Sequence, residues 1–305
     1  MNVLVIGGNG FIGSHLVDKL LREGYKVRVF DLAYERFRKP LPAVDYRISS
    51  IDNIPELYES LLGIDVVFHL ASLSVPSTSN IDTVSDIEGN LIPTLNILNL
   101  LVKLKIPRII YFSSGGAVYG DPVSIPITEE HPLNPISSYG IVKLSIEKYL
   151  FLYQRIHGLN PLIIRPSNPY GPRQGHFLAQ GVISTFLKKI HKGEKITVFG
   201  DGNSEKDYIF IDDLINLVCE LSLKKNADGV YNIGSGTGYS LNKIIHLISD
   251  ITQTKPEIMY DAVQNYDVNH FVLDISRITD IIGNYTFTSL ETGLSETWNW
   301  VNKSD

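Results

Sequence analysis

The sequence predicts an α/β fold built on a doubly wound parallel sheet, with a smaller C-terminal lobe. Through the first two-thirds of the chain, short apolar runs rich in β-branched residues alternate with longer helical patterns. Strands that alternate with helices form crossover units, and such units build parallel sheets. The glycine-spaced turn GGNGFIG joins the first apolar run to the first helical pattern, and this is the usual place of such a turn in doubly wound folds.

The predicted strands are apolar on both faces, as expected where helices cover both sides of a parallel sheet. In chain order they are NVLVI, KVRVFD, VVFHLA, RIIYFSS and PLIIRP. Helices are predicted at residues 14–22, 92–104 and 139–152, where apolar residues recur at helical spacing.

The pattern is less regular beyond Pro166, where prolines and glycines interrupt the chain. A helix is predicted at residues 178–192, and two further strands at KITVFG and VYNIG. We therefore expect one domain over residues 1–166 and a smaller lobe over residues 167–305. Part of the second segment is expected to return to the main sheet.

The composition bounds the class of protein. A chain of 305 residues that is 44% hydrophobic can bury a sizeable core. The net charge of −6 and the scattered Lys and Arg residues predict no nucleic-acid partner. The first apolar run is too short for a signal peptide or a membrane span, so we expect a cytoplasmic protein with no membrane partner. The single cysteine, Cys219, lies in DLINLVCELSL and is predicted to pack within a helix.

Three glycines and one acid predict a Rossmann-type dinucleotide site. Gly7, Gly10 and Gly13 permit a tight turn, a close approach of the backbone to a pyrophosphate, and packing of the helix on the strand. Asp31, at the end of the second strand, can accept hydrogen bonds from an adenosine ribose and would repel a 2′-phosphate. The sequence therefore favours NAD over NADP. Two arginines in the following LAYERFRK soften this preference without reversing it.

Tyr139 and Lys143 stand four residues apart in YGIVK, on one face of a predicted helix. A phenol is a poor base at neutral pH, but a neighbouring ammonium stabilises the phenolate. We therefore expect Lys143 to lower the pKa of Tyr139, so that the tyrosine can take a proton from a substrate hydroxyl. Taken alone, the two residues are also compatible with a surface pair. The glycine turn favours the catalytic interpretation.

Together these motifs resemble the extended short-chain dehydrogenase/reductases, and within them the NAD-dependent epimerase/dehydratase family of nucleotide-sugar enzymes. The resemblance spans nearly the whole chain. The motifs that carry it, in order, are GGNGFIG, Asp31, HLAS, Asn90, SSGGAVYG, YGIVK, RPSNPYGPRQ and KDYIFIDDL.

The resemblance implies an NAD-binding domain over residues 1–166 and a C-terminal lobe that binds a nucleoside-diphosphate sugar. Tyr139 would be the general base and acid, and Lys143 would bind the nicotinamide ribose. The cofactor-binding residues that it implies are Gly7, Gly10, Phe11, Ile12, Gly13, Asp31, Ser49, Ser50, Leu70, Ala71, Ser72, Asn90, Tyr139, Lys143 and Pro166.

The sequence departs from the family pattern beside the expected catalytic hydroxyl. The family's serine or threonine falls on Gly115, and we expect the adjacent Ser114 to supply the hydroxyl, because a Gly-Gly pair tolerates unusual backbone angles. The alternative is that Ser114 caps the strand end and water fills the gap. Gly116 and Ala117 stand where the dehydratases of the group carry an Asp-Glu pair, which disfavours dehydration of the sugar.

The substrate-binding residues that the resemblance implies are Ser114, Gly115, Asn168, Arg173, Lys206, Gln264 and Phe271. Lys206 and Gln264 replace two family arginines, so the diphosphate is expected to bind more weakly or to share other residues such as Arg173. Phe271 matches the position that faces the C2 substituent of the sugar in the family. A bulky side chain there predicts a hexose without an N-acetyl group.

Three functions are compatible with these residues. The leading interpretation is an NAD-dependent 4-epimerase of a UDP-glucose or UDP-galactose type of substrate, acting through a 4-keto intermediate. A reductase of a dTDP-4-keto-6-deoxyhexose that consumes NAD(P)H would use the same Tyr139 and Lys143. A non-catalytic dinucleotide-binding sensor fits Gly115, but the intact tyrosine and lysine disfavour it. We expect a homodimer that pairs the helices at 92–104 and 139–152, and no metal site.

Overall fold

The computed structural model describes residues 1–175, 181–224, 227–262, 268 and 270–303. The strands of the described residues are β1 (Asn2–Ile6), β2 (Lys26–Asp31), β3 (Val44–Ile48), β4 (Val66–His69), β5 (Arg108–Phe112), β6 (Asn160–Pro166), β7 (Asn168–Tyr170), β8 (Ile196–Phe199), β9 (Glu205–Phe210), β10 (Gly229–Ile233), β11 (Gly238–Ser240) and β12 (Ile258–Asp261).

The helices of the same residues are α1 (Phe11–Arg22), α2 (Ile54–Leu61), α3 (Pro76–Ser79), α4 (Thr83–Asp86), α5 (Ile92–Leu104), α6 (Gly115–Val118), α7 (Ser138–His157), α8 (Val182–His191), α9 (Ile211–Leu223), α10 (Leu241–Thr252), α11 (Ser276–Ile282) and α12 (Leu290–Lys303). A π-helical turn (Ile87–Leu91) continues α4 into α5.

Seven parallel strands form the main sheet, in the order β10-β6-β5-β4-β1-β2-β3. The chain runs from β1 outward to β3 on one side and from β4 outward to β10 on the other, which is the predicted doubly wound arrangement. In such sheets ligands bind beyond the carboxyl ends of the strands, where the order reverses. Here that point lies between β1 and β4.

Apolar residues of alternate strand positions build the core on both faces of the main sheet. Val3 and Val5 of β1 belong to a buried cluster that includes residues of α1 and α9. Leu4 and Ile6 belong to a second cluster, which includes residues of α2, α5 and α7. The sheet is therefore covered by helices on both sides, which explains why its strands read as continuous apolar runs.

Two small sheets follow the main sheet along the chain. β7, β9 and β11 form one sheet and β8 and β12 the other, while β10 joins the main sheet beside β6. The helix predicted at 178–192 corresponds to α8, and its first predicted turn falls partly on residues 176–180, outside the described residues. The division of the chain at residue 166 stays a prediction.

Cys219 is buried in α9, as predicted, and burial raises the pKa of its thiol to about 12. The thiol therefore stays protonated at neutral pH. Among the helices that the structure describes, none combines the length and the apolar character that crossing a bilayer requires.

Candidate active site

The glycine turn packs tightly against the end of β4. Gly7 has φ +85°, and a Cβ added there would lie 2.7 Å from the backbone nitrogen of Ala71. A Cβ at Gly13 would lie 2.1 Å from the carbonyl oxygen of Gly7, so neither position has room for a side chain. Gly10, the N-cap of α1, has only that carbonyl oxygen near its Cβ position, at 3.4 Å.

This geometry fits a bound pyrophosphate. The first turn of α1 begins with Phe11 and Ile12. Because Gly10 has no side chain, it does not block the approach of a ligand to this turn. The backbone N–H groups at a helix N-terminus attract an anion.

Asp31 lies beside this turn, at the carboxyl end of β2. Its carboxylate accepts hydrogen bonds from the backbone nitrogens of Asn9, at 2.8 Å, and Leu32, at 2.7 Å. Burial raises the pKa of Asp31, and these hydrogen bonds oppose that shift. The carbonyl oxygen of Asp31 accepts from the nitrogen of Ser49, at 2.9 Å, so Ser49 and the next residue, Ser50, lie at the same edge.

The ends of β4 and of the π-helical turn complete this edge. The backbone nitrogens of Leu70 and Ala71 both donate to the carbonyl oxygen of Ile6, at 2.9 and 3.1 Å. The hydroxyl of Ser72 donates to the carbonyl oxygen of Ser74, at 3.2 Å. Asn90 accepts from the nitrogen of the intervening Leu73, at 2.8 Å. The structure thus brings the predicted cofactor residues of the first four strands to one edge.

Arg38 is less available to a 2′-phosphate than the sequence suggests. Its guanidinium donates to the carboxylate of Glu35 and, at 2.5 Å, to that of Asp18. Two carboxylates therefore compensate its charge, and one of them, Glu35, acts on Asp31 and helps to raise its pKa. This arrangement strengthens the preference for NAD.

Ser114, Tyr139 and Lys143 converge beyond β5. The Lys143 ammonium lies 5.5 Å from the centre of the Tyr139 ring and donates to the carbonyl oxygen of Phe112, at 3.0 Å. A hydrogen bond from the Ser114 hydroxyl to Tyr139 favours the phenolate. Ser114 is the N-cap of α6, yet its side chain makes no capping hydrogen bond. The hydroxyl is therefore not used to cap α6, which leaves it available to the tyrosine.

Gly115 has no room for the hydroxyl that the family motif places there. A Cβ at this position would lie 2.9 Å from the carbonyl oxygen of Pro166 and 3.1 Å from a methyl carbon of Leu273. The next position differs, since a Cβ at Gly116 would meet nothing within 4 Å. The close approach of β6 thus accounts for a glycine at 115 and for a serine hydroxyl one residue earlier.

The sequence predicts that Lys143 lowers the pKa of Tyr139, and this prediction is wrong for this chain. Burial raises the pKa of Tyr139 to about 12; the hydrogen bond from Ser114 opposes this shift, and the charge of Asp86 adds to it. Burial also lowers the pKa of Lys143 to about 8, against the opposing charges of Asp86 and Glu147. The loss of hydration at both groups outweighs the attraction that the sequence suggested.

Several residues that support this site were not predicted. The hydroxyl of Ser79 accepts from the backbone nitrogen of Tyr139, at 3.1 Å, and the side-chain oxygen of Asn80 accepts from that of Ser138, at 2.8 Å. Glu147 of α7 and Arg165 of β6 form a buried ion pair, with 2.5 Å between Oε2 and Nη2. The only signal for Glu147 was its spacing of four residues from Lys143, which any helix also produces by chance.

Three predicted substrate residues lie together on the small sheet of β7 and β9. Asn168 donates to the carbonyl oxygen of Asp207, at 2.8 Å. Phe271 pairs with the strand on both sides of Lys206: its nitrogen donates to Glu205 at 3.0 Å, and its oxygen accepts from Asp207 at 2.7 Å.

The Phe271 side chain is buried in a cluster with residues of α6, so its role toward the sugar stays a prediction. Gln264 lies outside the described residues.

Arg173 contacts the first helix. Its guanidinium forms an ion pair with Asp18, at 2.7 Å, and lies 5.1 Å from the centre of the Phe37 ring. Its backbone has φ +70°, which is uncommon for a residue other than glycine. The structure therefore joins Arg173 to the helix of the glycine turn, and its substrate contact stays a prediction.

A family model described as the NAD dependent epimerase/dehydratase family matches residues 3–234 of this chain. The chain belongs to this family. As a member of the NAD-dependent epimerase/dehydratase family it is an enzyme of the extended short-chain dehydrogenase/reductases, and NAD is its cofactor. The predictions of family, fold class and cofactor are therefore confirmed.

Relatives within the family differ in their reactions. A UDP-glucose 4-epimerase from Thermotoga maritima, solved with UDP-glucose, is 35% identical, with a TM-score of 0.94 and 99% of each chain covered. A UDP-N-acetylglucosamine 4-epimerase from Methanobrevibacter ruminantium M1, solved with UDP-N-acetylmuramic acid, is 30% identical, with a TM-score of 0.91 and coverage of 98% of this chain and 97% of that one. A dTDP-4-dehydro-6-deoxyglucose reductase from Escherichia coli is 32% identical, over 96% of this chain and 95% of the relative.

Proposed function

We propose that the protein is an NAD-dependent 4-epimerase that interconverts UDP-glucose and UDP-galactose through a 4-keto intermediate. The observation that carries this proposal is the convergence of Ser114, Tyr139 and Lys143, with the serine hydroxyl bonded to the tyrosine. The likeness to the Thermotoga maritima enzyme, which was solved with UDP-glucose, supports the choice of substrate.

Each of these side chains has a defined task in the proposed reaction. Tyr139 takes the proton of the sugar C4 hydroxyl and later returns it to the 4-keto oxygen. Ser114 stabilises the phenolate by donating to its oxygen, and Lys143 holds a positive charge one helical turn away. NAD, when bound, supplies a hydride acceptor that carries a positive charge. Because burial, with the charge of Asp86, raises the pKa of Tyr139 to about 12 despite the hydrogen bond from Ser114, the tyrosine depends on such positive charge to ionise near neutral pH.

The residues that follow Ser114 favour epimerisation over elimination. Elimination of water from a 4-keto sugar needs an acid and a base beside the sugar, and family dehydratases place an Asp-Glu pair there. This chain has Gly116 and Ala117 at those positions. Asn168 and Lys206, which lie together on the small sheet, are proposed to bind the diphosphate, and the bulk of Phe271 to exclude an N-acetyl group at C2.

We also propose a homodimer. α5 and α7 carry apolar side chains that are exposed in the single chain, among them Ile92, Ile141, Leu152 and Ile156. These side chains lie on the two helices that the sequence predicts as the contact between subunits.

The test is product analysis with purified protein and a panel of UDP-glucose, UDP-galactose, UDP-N-acetylglucosamine and dTDP-4-keto-6-deoxyhexoses. We expect UDP-glucose and UDP-galactose to interconvert with no net change in NADH absorbance. Stoichiometric oxidation of NAD(P)H by a 4-keto sugar would identify a reductase instead, as the Escherichia coli relative suggests. Equal rates with the N-acetylated substrate would contradict the role of Phe271. Absence of turnover throughout the panel would overturn the proposed substrates.

A further inference from the structure

Asp86 is a buried carboxylate that the proposed reaction does not use. It ends α4, four residues before Asn90, and only 3% of its surface is exposed. Its two oxygens accept three side-chain hydrogen bonds: from the hydroxyl of Ser74 at 2.5 Å, from the amide of Asn90 at 2.9 Å, and from the hydroxyl of Ser138 at 2.6 Å. A buried charge is retained at low cost only when it is bonded in this way.

The three donors come from three parts of the site. Ser74 directly follows the predicted cofactor segment at residues 70–73. Asn90, in the π-helical turn, also accepts a hydrogen bond from the backbone nitrogen of Leu73 in that segment. Ser138 is the first residue of α7 and immediately precedes Tyr139. One carboxylate therefore connects the predicted cofactor segment, the π-helical turn and the start of the catalytic helix.

The charge of Asp86 acts on the same residues. It raises the pKa of both Tyr139 and Lys143. Glu147, one turn further along α7, also raises the pKa of Lys143.

The other titratable groups that face this pair are uncharged at neutral pH. Burial lowers the pKa of His69 on β4 to about 3, and burial raises that of Tyr111 on β5 well above its usual value. Asp86 and Glu147 are thus the two carboxylates that act on the pair.

We propose that Asp86 is a positioning residue for the reaction: its carboxylate fixes Tyr139 relative to the predicted cofactor segment at residues 70–73. The inference rests on the proposed function, because it assigns Tyr139 as the acid and base. A carboxylate that bonds Ser138 of α7 on one oxygen, and Ser74 and Asn90 on the other, restricts the movement of α7 relative to the cofactor segment, and a small displacement of a catalytic group is costly. Its charge also opposes the lowering of the Lys143 pKa by burial.

The test is Asp86→Asn, which keeps the shape of the side chain and removes its charge. We expect kcat to fall by roughly ten- to a hundredfold, with an unchanged KM for the sugar nucleotide. Both limbs of the pH profile of kcat should move to lower pH. The lower limb follows the ionisation of Tyr139 and the upper limb the deprotonation of Lys143, and each pKa is lower without the charge of Asp86. NAD binding, measured by calorimetry, should weaken by roughly fivefold, as for one lost hydrogen bond.

Two further variants separate charge from geometry and from folding. Ser138→Ala removes one donor and leaves the carboxylate charged, so kcat should fall without a shift of the pH profile; it also tests the inference if Asp86→Asn does not fold. Asp213→Asn is the matched control, because Asp213 is equally buried and accepts three hydrogen bonds, from Tyr285 and Thr288. It should leave the profile and NAD binding unchanged.

An Asp86→Asn enzyme with the wild-type pH profile and the wild-type NAD affinity would overturn the inference. That outcome is distinct from failure of the proposed function. If the substrate panel identifies a reductase, the pH profile and the NAD affinity of the variant can still be measured with that reaction.

Discussion

The Tyr139 hydroxyl has its hydrogen-bond partner one residue before the position where the family motif places it. Ser114 donates to the tyrosine, while the backbone of β6 approaches Gly115 too closely for any side chain. At the scale of single residues, the hydroxyl is thus supplied by Ser114, and the close approach of β6 requires a glycine at 115. Two substitutions test them independently.

Removal of the hydroxyl in Ser114→Ala should lower kcat by roughly a hundredfold or more, within the range typical of a lost acid-base partner. The KM for the sugar nucleotide should change little, because the hydrogen bond acts on the tyrosine. Steady-state kinetics of the purified variant measure both. Ser145→Ala is the control, since the hydroxyl of this α7 serine donates to the backbone of its own helix, at Ile141. Turnover at the wild-type rate would remove Ser114 from the mechanism.

Restoring the family hydroxyl in Gly115→Ser should not improve the enzyme. The new Cβ would lie 2.9 Å from the carbonyl oxygen of Pro166, so β6 must shift, and we expect a loss of about 1–3 kcal/mol in the free energy of unfolding. Urea denaturation measures this loss. Gly116→Ser is the matched control, because its Cβ enters open space. Equal stability of the two variants would show that the strand yields easily.

His69 predicts a loss of stability in acid. Its Nε2 lies 2.9 Å from the hydroxyl of Thr94, its Nδ1 is buried without a partner among the described residues, and burial lowers its pKa to about 3. Between about pH 6.5 and pH 3 the unfolded chain therefore binds a proton that the folded chain does not. Stability from this residue is complete above pH 6.5 and falls as the pH decreases, by up to about 1.4 kcal/mol per pH unit.

Urea denaturation at pH 7 and pH 5 measures this effect. The dependence on pH should be weaker in His69→Gln than in the wild type. His246→Gln serves as the control, because His246 is exposed on α10, with its Nε2 3.7 Å from the carboxylate of Asp250. An unchanged dependence in His69→Gln would assign the acid sensitivity to other groups.

At the scale of elements, hydrophobic periodicity predicted the helices and strands that are buried in the core. The helix predicted at 92–104 is α5 over the same residues, and the strand KVRVFD is β2. β3 was missed because VDYRI is an edge strand, half-exposed, with charged residues that break the apolar run. The short helices α3 and α4 were missed as well, since four residues carry too little periodicity.

The candidate site was predictable where a motif has a fixed local geometry. The glycine turn, Asp31 and the Tyr139–Lys143 pair lie as their spacing indicates. What spacing could not reveal is the effect of burial on the pKa of Tyr139, or the hydrogen bond to Asp86 from Ser138, which lies 52 residues further along the chain. Both depend on tertiary contacts, which a local pattern does not encode.

The whole molecule leaves an apolar face on the side of the main sheet covered by α5 and α7. Ile141 is 54% exposed, Leu152 45% and Ile156 56%. Their spacing of 11 and 4 residues places them along one stripe of α7. Tyr153 of the same helix donates to Asn99 of α5, at 2.6 Å, so the two helices are joined beside this face. A second copy of the chain, presenting the same pair of helices, would bury this stripe in a four-helix contact.

The purified protein should therefore sediment as a dimer at micromolar concentration. The double substitution Leu152→Glu with Ile156→Glu should produce monomers, because it places four carboxylates within one self-complementary interface. Met259→Glu is the control, since Met259 is similarly exposed but lies on β12, in the separate two-stranded sheet with β8. The monomers should also turn over more slowly, because α7 carries Tyr139 and Lys143 and would lose the packing along its outer face. A wild-type protein that sediments as a monomer would contradict the dimer, and a monomeric variant with full activity would separate assembly from catalysis.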